Sequence, residues 1–200
     1  MRVLTGDKMP RLLREIADPP ERLYLKGELP DESTNKYLCV VGPRKYSPYG
    51  KAVCEKLISG LRGYSVVVIS GLALGIDAIA HQAALDADLT TIAIPGSGLH
   101  PRVLYPATNR GLAERILSRR GVLLSEFEPT FKPERWSFEK RNRIMAGLSH
   151  AVLVIEAHEK SGTMITARLA TEYNRDVLAV PGSVFSPTSA GVHMLIRLGA

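Results

Sequence analysis

Cysteine and tryptophan are nearly absent, with two Cys and one Trp in 200 residues. Cys39 and Cys54 have no second Cys and no His at metal-ligand spacing, and the five histidines, at 81, 100, 150, 158 and 193, are scattered. A zinc site is therefore not expected, and neither is any other metal or cofactor. Long apolar runs are missing too. None approaches the ~20 residues that span a bilayer, so no membrane association is expected. Met1-Arg2-Val3-Leu4-Thr5-Gly6 lacks the apolar stretch and small-residue cleavage site of a secretion signal, and a cytoplasmic location is expected. There is no internal repeat and no low-complexity segment.

What is present suits a globular domain with a full-sized core: 45% hydrophobic and 23% charged residues. Basic residues outnumber acidic ones by 26 to 20, a formal charge of +6. That excess suggests a polyanionic partner, although the placement of the charge says more than its sum.

From Lys36 onward, short apolar runs alternate with amphipathic stretches. The runs are Tyr37 to Val41, Val66 to Ile69, Thr91 to Ile94, Val122 to Leu124, Ala151 to Ile155 and Val177 to Val180. Several are rich in Val and Ile and bounded by Gly, Pro or Ser, as buried parallel strands are. Between the first two, Ala52, Val53, Leu57 and Leu61 recur at helical spacing; after the second, Ile76, Ile79, Ala80 and Ala83 do so. The alternation predicts an α/β fold, a doubly wound and mostly parallel sheet with helices on both faces. Ligands of such sheets bind at the carboxyl ends of the strands. Residues 1–35, with Pro10, Pro19, Pro20 and Pro30 and no strand-helix rhythm, read as a short extension packed on a core of residues 36–200.

Several loops leave strands at the expected ligand end. Gly42-Pro43-Arg44-Lys45 follows the first run, where glycine permits close approach of an anion and Arg44 offers a bidentate phosphate donor. Ser70-Gly71-Leu72-Ala73-Leu74-Gly75 follows the second; its glycines match neither the dinucleotide fingerprint nor a P-loop, but the segment could cradle a phosphate at a helix start. Pro95-Gly96-Ser97-Gly98 and Lys160-Ser161-Gly162-Thr163 are the others. Each alone could be a plain strand-helix turn; together they favour a polyphosphate or nucleotide surface.

The stretch from Phe131 to Arg143 is the most informative. Pro133 marks a helix start, and Ile144, Met145 and Leu148 supply its buried anchor. Arg135, Phe138 and Asn142 share one face, with Arg141 and Arg143 nearby. Cations interleaved with an aromatic ring suit a single strand, whose phosphates need charge and whose bases need a stacking surface. The competing reading makes Trp136 and Phe138 core residues and leaves the arginines solvated or paired with Glu126, Glu128 or Glu156; it is preferred for Trp136, and DNA contact for Phe138.

In order along the chain stand Gly42-Pro43-Arg44, Ser70-Gly71-Leu72-Ala73-Leu74-Gly75-Ile76-Asp77-Ala78-Ile79-Ala80-His81 and Tyr105-Pro106-Ala107-Thr108-Asn109. Leu124-Ser125-Glu126, Phe138 to Ile144, Glu156 to Thr163, Pro181-Gly182 and Leu195 to Ala200 follow. This series resembles the Rossmann-type domain of the DNA-processing protein A (Smf) family. The resemblance implies a dimer that binds single-stranded DNA and loads RecA recombinase in natural transformation, without catalysis. It implies a DNA surface of Gly42, Arg44, Lys45, Ser70, Gly71, Gly75, Arg135, Phe138, Arg141, Asn142, Arg143, Lys160, Ser161, Gly162 and Thr163. It also points to self-association through the stripe Val192, Leu195 and Ile196, which could instead pack on the sheet. Pro43 stands where the family usually has Ser, and His193 where Asn is usual. Family members often carry further small domains at either end; neither is expected in these 200 residues.

An enzymatic alternative comes from phosphoribohydrolases of similar fold and loop order, whose signature is Pro-Gly-Gly-x-Gly-Thr-x-x-Glu. Its Gly-Thr falls on Gly162-Thr163, but its Glu falls on Thr166, which cannot supply the carboxylate that glycosidic cleavage needs. Glu156 or Glu126 could stand in. A nucleotide-sensing module of the same fold is a third reading.

Overall fold

The computed structural model describes residues 1–200. Two strands that the sequence pattern does not announce, β1 (Arg2–Thr5) and β2 (Arg22–Lys26), flank the short helix α1 (Arg11–Arg14). The six apolar runs then form β3 (Lys36–Val41), β4 (Val66–Ser70), β5 (Thr91–Ala93), β6 (Val122–Ser125), β7 (Ala151–Val154) and β8 (Asp176–Ala179), each within one residue of its expected bounds. All eight strands belong to one sheet, ordered β1-β2-β6-β5-β4-β3-β7-β8. Pairing is parallel from β6 across to β8 and antiparallel for β1 with β2 and β2 with β6.

The helices after Lys36 are α2 (Pro48–Ser59), α3 (Ile76–Asp86), α4 (Arg110–Ser118), α5 (Arg135–Gly147), α6 (Gly162–Glu172) and α7 (Ala190–Arg197). Successive strand residues point to opposite faces, so Cys39, Val41, Val67, Ile69, Val152 and Val154 pack in one core with residues of α1, α5, α6 and α7. Val40, Val68 and Leu153 pack on the other face with α2 and α3, and Ala93 and Leu123 with α4. Both faces are covered, which is why the strands read as continuous apolar runs.

Three readings need correction. In α2 the buried stripe is Gly50, Cys54 and Ile58, while Ala52 and Leu57 face solvent. Gly50 sits where the helix crosses Glu156, whose carboxylate a Cβ there would strike. In α7, Val192 and Leu195 are buried in the sheet core, and of the expected dimer stripe only Ile196 is exposed. A short helix closing a layer must seal the sheet beneath it, and that burial takes two of the three residues. Thirdly, residues 1–35 do contain strands. β1 and β2, of four and five residues, are too short to show a period.

The amino-terminal segment is bonded to the core throughout. Leu13 and Ile16 press on Gly147, where a Cβ would collide with both. Arg143 donates to the Asp18 carbonyl at 2.7 Å, and Arg175 donates to the Leu12 carbonyl at 2.9 Å. Leu13 is fully buried. Leu13→Ala is therefore expected to destabilise the whole chain by about 2–5 kcal/mol in urea unfolding, as core truncations do. An unchanged midpoint would make the segment an independent appendage.

Candidate nucleic-acid interface

The chain builds the sheet outward from β3 to β6, then returns to add β7 on the other side of β3. The loops leaving β3 and β7 diverge at that reversal and open a crevice, the usual ligand position in open α/β sheets. Here it is a groove of about 430 Å³. Gly42 to Lys45 line one lip, Ser161 to Thr163 the other, and Asp77, Phe138, Arg141, Asn142 and Thr166 lie between them.

The first lip is fixed at both ends. Gly42 packs against the Ile76 side chain, leaving no room for a Cβ, and the Pro43 carbonyl accepts from the Ile76 N–H at 3.3 Å. The acceptor is a backbone carbonyl, so proline at 43 makes this contact as any residue would. Ser47 caps α2 by accepting from the Gly50 N–H, and donates to Glu156 through its own N–H at 3.0 Å and its hydroxyl at 2.6 Å. Between these anchors Arg44 and Lys45 are exposed, and neither makes an ion pair.

The second loop is not a phosphate cradle. Asp77 accepts the N–H groups of Gly71 and Ala73 at 3.1 and 3.3 Å, and Asn109 donates to the carbonyls of Leu72 and Ala73. Those two loop N–H donors point inward. Ser70 is fully buried and donates to the Val40 carbonyl at 2.7 Å, so it cannot meet DNA. Gly75 adopts φ 80° where a Cβ would strike the carbonyls of Pro43 and Arg44. Gly71 likewise leaves room for Arg141 and Asp77. These three residues shape the groove from behind.

On α5, the expected face divides. Phe138 and Asn142 line the groove, but Arg135 opens onto a neighbouring one of about 710 Å³ with Lys160 and Arg168. Phe138 is half-buried, its edge resting on Gly96, with the Arg44 guanidinium 5.4 Å from its ring centroid and the Tyr105 ring at 5.7 Å. Arg141 is buried and donates from Nη1 to the Gly71 carbonyl at 2.5 Å and to the Ile94 carbonyl, and from Nε to Asn142 Oδ1. Burial pushes the Asp77 carboxyl up and the Arg141 guanidinium down, each opposed by the other's charge.

Arg143 belongs elsewhere. It is buried beneath α5, ion-paired with Glu126 and Asp18, and has no path to the groove. Trp136, expected in the core, is 49% exposed; it lies edge-on to the stacked rings of Phe127 and Phe131, each 5.7 Å away, while Nε1 bonds Glu134. Glu156 pairs with no arginine. It accepts from Ser47 and Thr188. His193 bonds the Gly182 carbonyl at 3.0 Å, away from the groove. Tyr105 and Asp77 are site residues that the sequence reading left out. Both stand within quoted motifs, but their roles are contacts across long chain separations that no spacing reveals.

The family described as DNA recombination-mediator protein A matches residues 1–200. The chain is 40% identical over 197 residues to the DNA processing protein DprA of Bacillus subtilis, covering 98% of this chain and 65% of that protein. It spans about half to two thirds of the length of the curated relatives it matches. The crystal structure of DprA from Streptococcus pneumoniae superposes with a TM-score of 0.92 at 42% identity, covering 100% of this chain and 69% of that one. DNA processing protein A of Helicobacter pylori, described for its single-stranded DNA binding mode, gives 0.85 at 32% identity, covering 99% and 88%.

The cation–ring contact generates a test. Arg44 and Phe138 touch, so their contributions to oligonucleotide binding should not add. Each single Ala variant is expected to cost about 1–3 kcal/mol, with the double variant falling at least ~0.5 kcal/mol short of the sum. Additive losses in fluorescence anisotropy would mean that the two act on separate parts of the ligand.

Proposed function

The chain belongs to the DNA recombination-mediator protein A family, and from that premise we propose that its switch-point groove binds single-stranded DNA without catalysing a reaction. The observation that carries this reading is the pairing of unneutralised Arg44 and Lys45 with the half-exposed Phe138–Tyr105 rings at one mouth. Cations follow the phosphates, and rings take base faces that a duplex hides. The single-stranded DNA binding mode described for the Helicobacter pylori relative supports it. The family's description as recombination mediators supports a finer role, delivery of the bound strand to RecA recombinase during natural transformation in the cytoplasm.

The absence of catalysis rests on the carboxylates. Thr166 is buried and donates to the Gly162 carbonyl; Glu126 is held by Arg143 and Lys140, and Glu156 by Ser47 and Thr188. Of the acidic residues only Asp77 lines the groove, with Oδ2 accepting two backbone N–H groups. In anisotropy, labelled oligo-dT of about 20 nucleotides should bind far more tightly than its duplex, with affinity falling steeply as salt rises. Arg44→Ala should reduce the salt slope by about 0.7, one phosphate contact on a single strand. Equal duplex affinity or a flat salt response would sink the reading, and release of free base from nucleoside monophosphates would return the enzymatic one.

A homodimer is part of the same proposal. Met194, Ile196 and Leu198 are exposed at α7, and Val184 and Phe185, the latter 93% exposed, stand just before it. Such apolar clusters mark association surfaces. A pair would align two grooves and raise affinity for long strands by multivalency. Ile196→Glu should give a folded monomer by light scattering that keeps affinity for short oligonucleotides and loses it for long ones. A wild-type chain that scatters as a monomer would remove this element.

A further inference from the structure

A separate groove of about 570 Å³ lies on the sheet face covered by α2, α3 and α4. Half-buried Ala78 and Ile79 of α3 and buried Leu112 of α4 give it an apolar lining. Tyr46 and Lys51 come from the α2 side and Arg115 from the α4 side. The groove is continuous in the chain with both walls of the first one. Tyr46 directly follows Lys45 of the first lip, and Thr108 follows the Tyr105-Pro106 turn beside Arg44 and Phe138.

Three features suit it to a strand. The Tyr46 ring is 44% exposed beside an apolar floor, a surface on which a base can stack. Glu55 is the one acid in the lining and lies 3.9 Å from Lys51, while Arg115 is exposed and makes no ion pair. Gly111, in the first turn of α4, leaves the rim bare. A Cβ there would meet nothing within 4 Å, so internal packing does not require glycine at this position. A bare backbone lets a ligand pass close to the helix.

We propose that this surface is an exit track for single-stranded DNA: a strand leaving the first groove past Arg44 and Tyr105 runs over Gly111, with a base on Tyr46 and Ile79 and a phosphate on Arg115. This rests on the first groove being a single-strand site and adds a second, separate contact region on the α2–α4 face. The track gives the chain a longer footprint than the first groove alone, using a ring and a cation that the first groove does not contain.

The test uses the full chain and labelled oligo-dT of about 20 nucleotides. Tyr46→Ala should weaken binding about fivefold or more, the loss of one stacked base. Arg115→Ala should flatten the salt slope by about 0.7, whereas Lys8→Ala, in the exposed turn between β1 and α1, leaves it unchanged. Gly111→Glu puts an acid in the first turn of α4, which the helix tolerates, and should weaken binding about fivefold or more with the thermal midpoint not lowered. Trp136 is the only tryptophan, so Tyr46→Trp in a Trp136→Phe background places a single reporter in the track. Its emission should fall as the oligonucleotide binds. Oligonucleotide binding with that emission unmoved overturns the track and leaves the first groove's reading intact. A folded Gly111→Glu at wild-type affinity, or equal slopes in Arg115→Ala and Lys8→Ala, does the same. A wild-type chain that binds no oligo-dT removes the first groove's reading and the track with it.

Discussion

A single buried guanidinium holds the ligand-facing edge of this sheet together. Arg141 reaches from α5 to the carbonyls at the ends of β4 and β5 and steadies Asn142 beside it. Removing such a group would leave two carbonyls without this donor in a dry site, where unmet polar groups cost most. The loop after β4 depends on it, since Gly71 is bare because Arg141 and Asp77 occupy the space a side chain would take. Phe138, one helical turn earlier, inherits its position from the same anchorage and from its seat on Gly96.

Around that anchor, acidic groups are turned to internal work. Asp77 holds the amides of the second loop, Glu156 holds Ser47 and Thr188, and Glu126 holds Arg143. None of them neutralises Arg44, Lys45, Arg135 or Lys160. The modest formal excess of +6 becomes local at the groove of Arg44 and Lys45, whose one lining acid, Asp77, is turned to the second loop. Charge placement, which composition cannot report, makes the surface fit for phosphates.

The architecture and the site share one logic. Reversal of strand order at β3 separates two loops, and each contributes a different kind of donor. Flexible cations stand on the β3 side, and fixed amides and a hydroxyl at the start of α6 on the β7 side. The amino-terminal strands lie at the far edge, beyond β6, where they extend the sheet without touching this crevice.

The sequence by itself determined the class of fold and the strand ends at which the candidate groove opens. Runs of Val and Ile buried on both faces can only be inner strands of a covered sheet, and glycines directly after them mark the ligand end. It also determined that α5 starts near Pro133 and buries Ile144, Met145 and Leu148. Tertiary structure alone decided which cations are free. Arg44, Arg141 and Arg143 look alike in the chain, yet one lies over Phe138, one braces two strand ends and one is locked to Glu126 and Asp18. It also decided that Ser70 faces inward, that Trp136 shows an edge to solvent, and that Val192 and Leu195 seal the sheet. The physical reason is that periodicity reports burial averaged along one element. The partner of a charge or a ring is set by residues tens of positions away, brought close only when the layers pack.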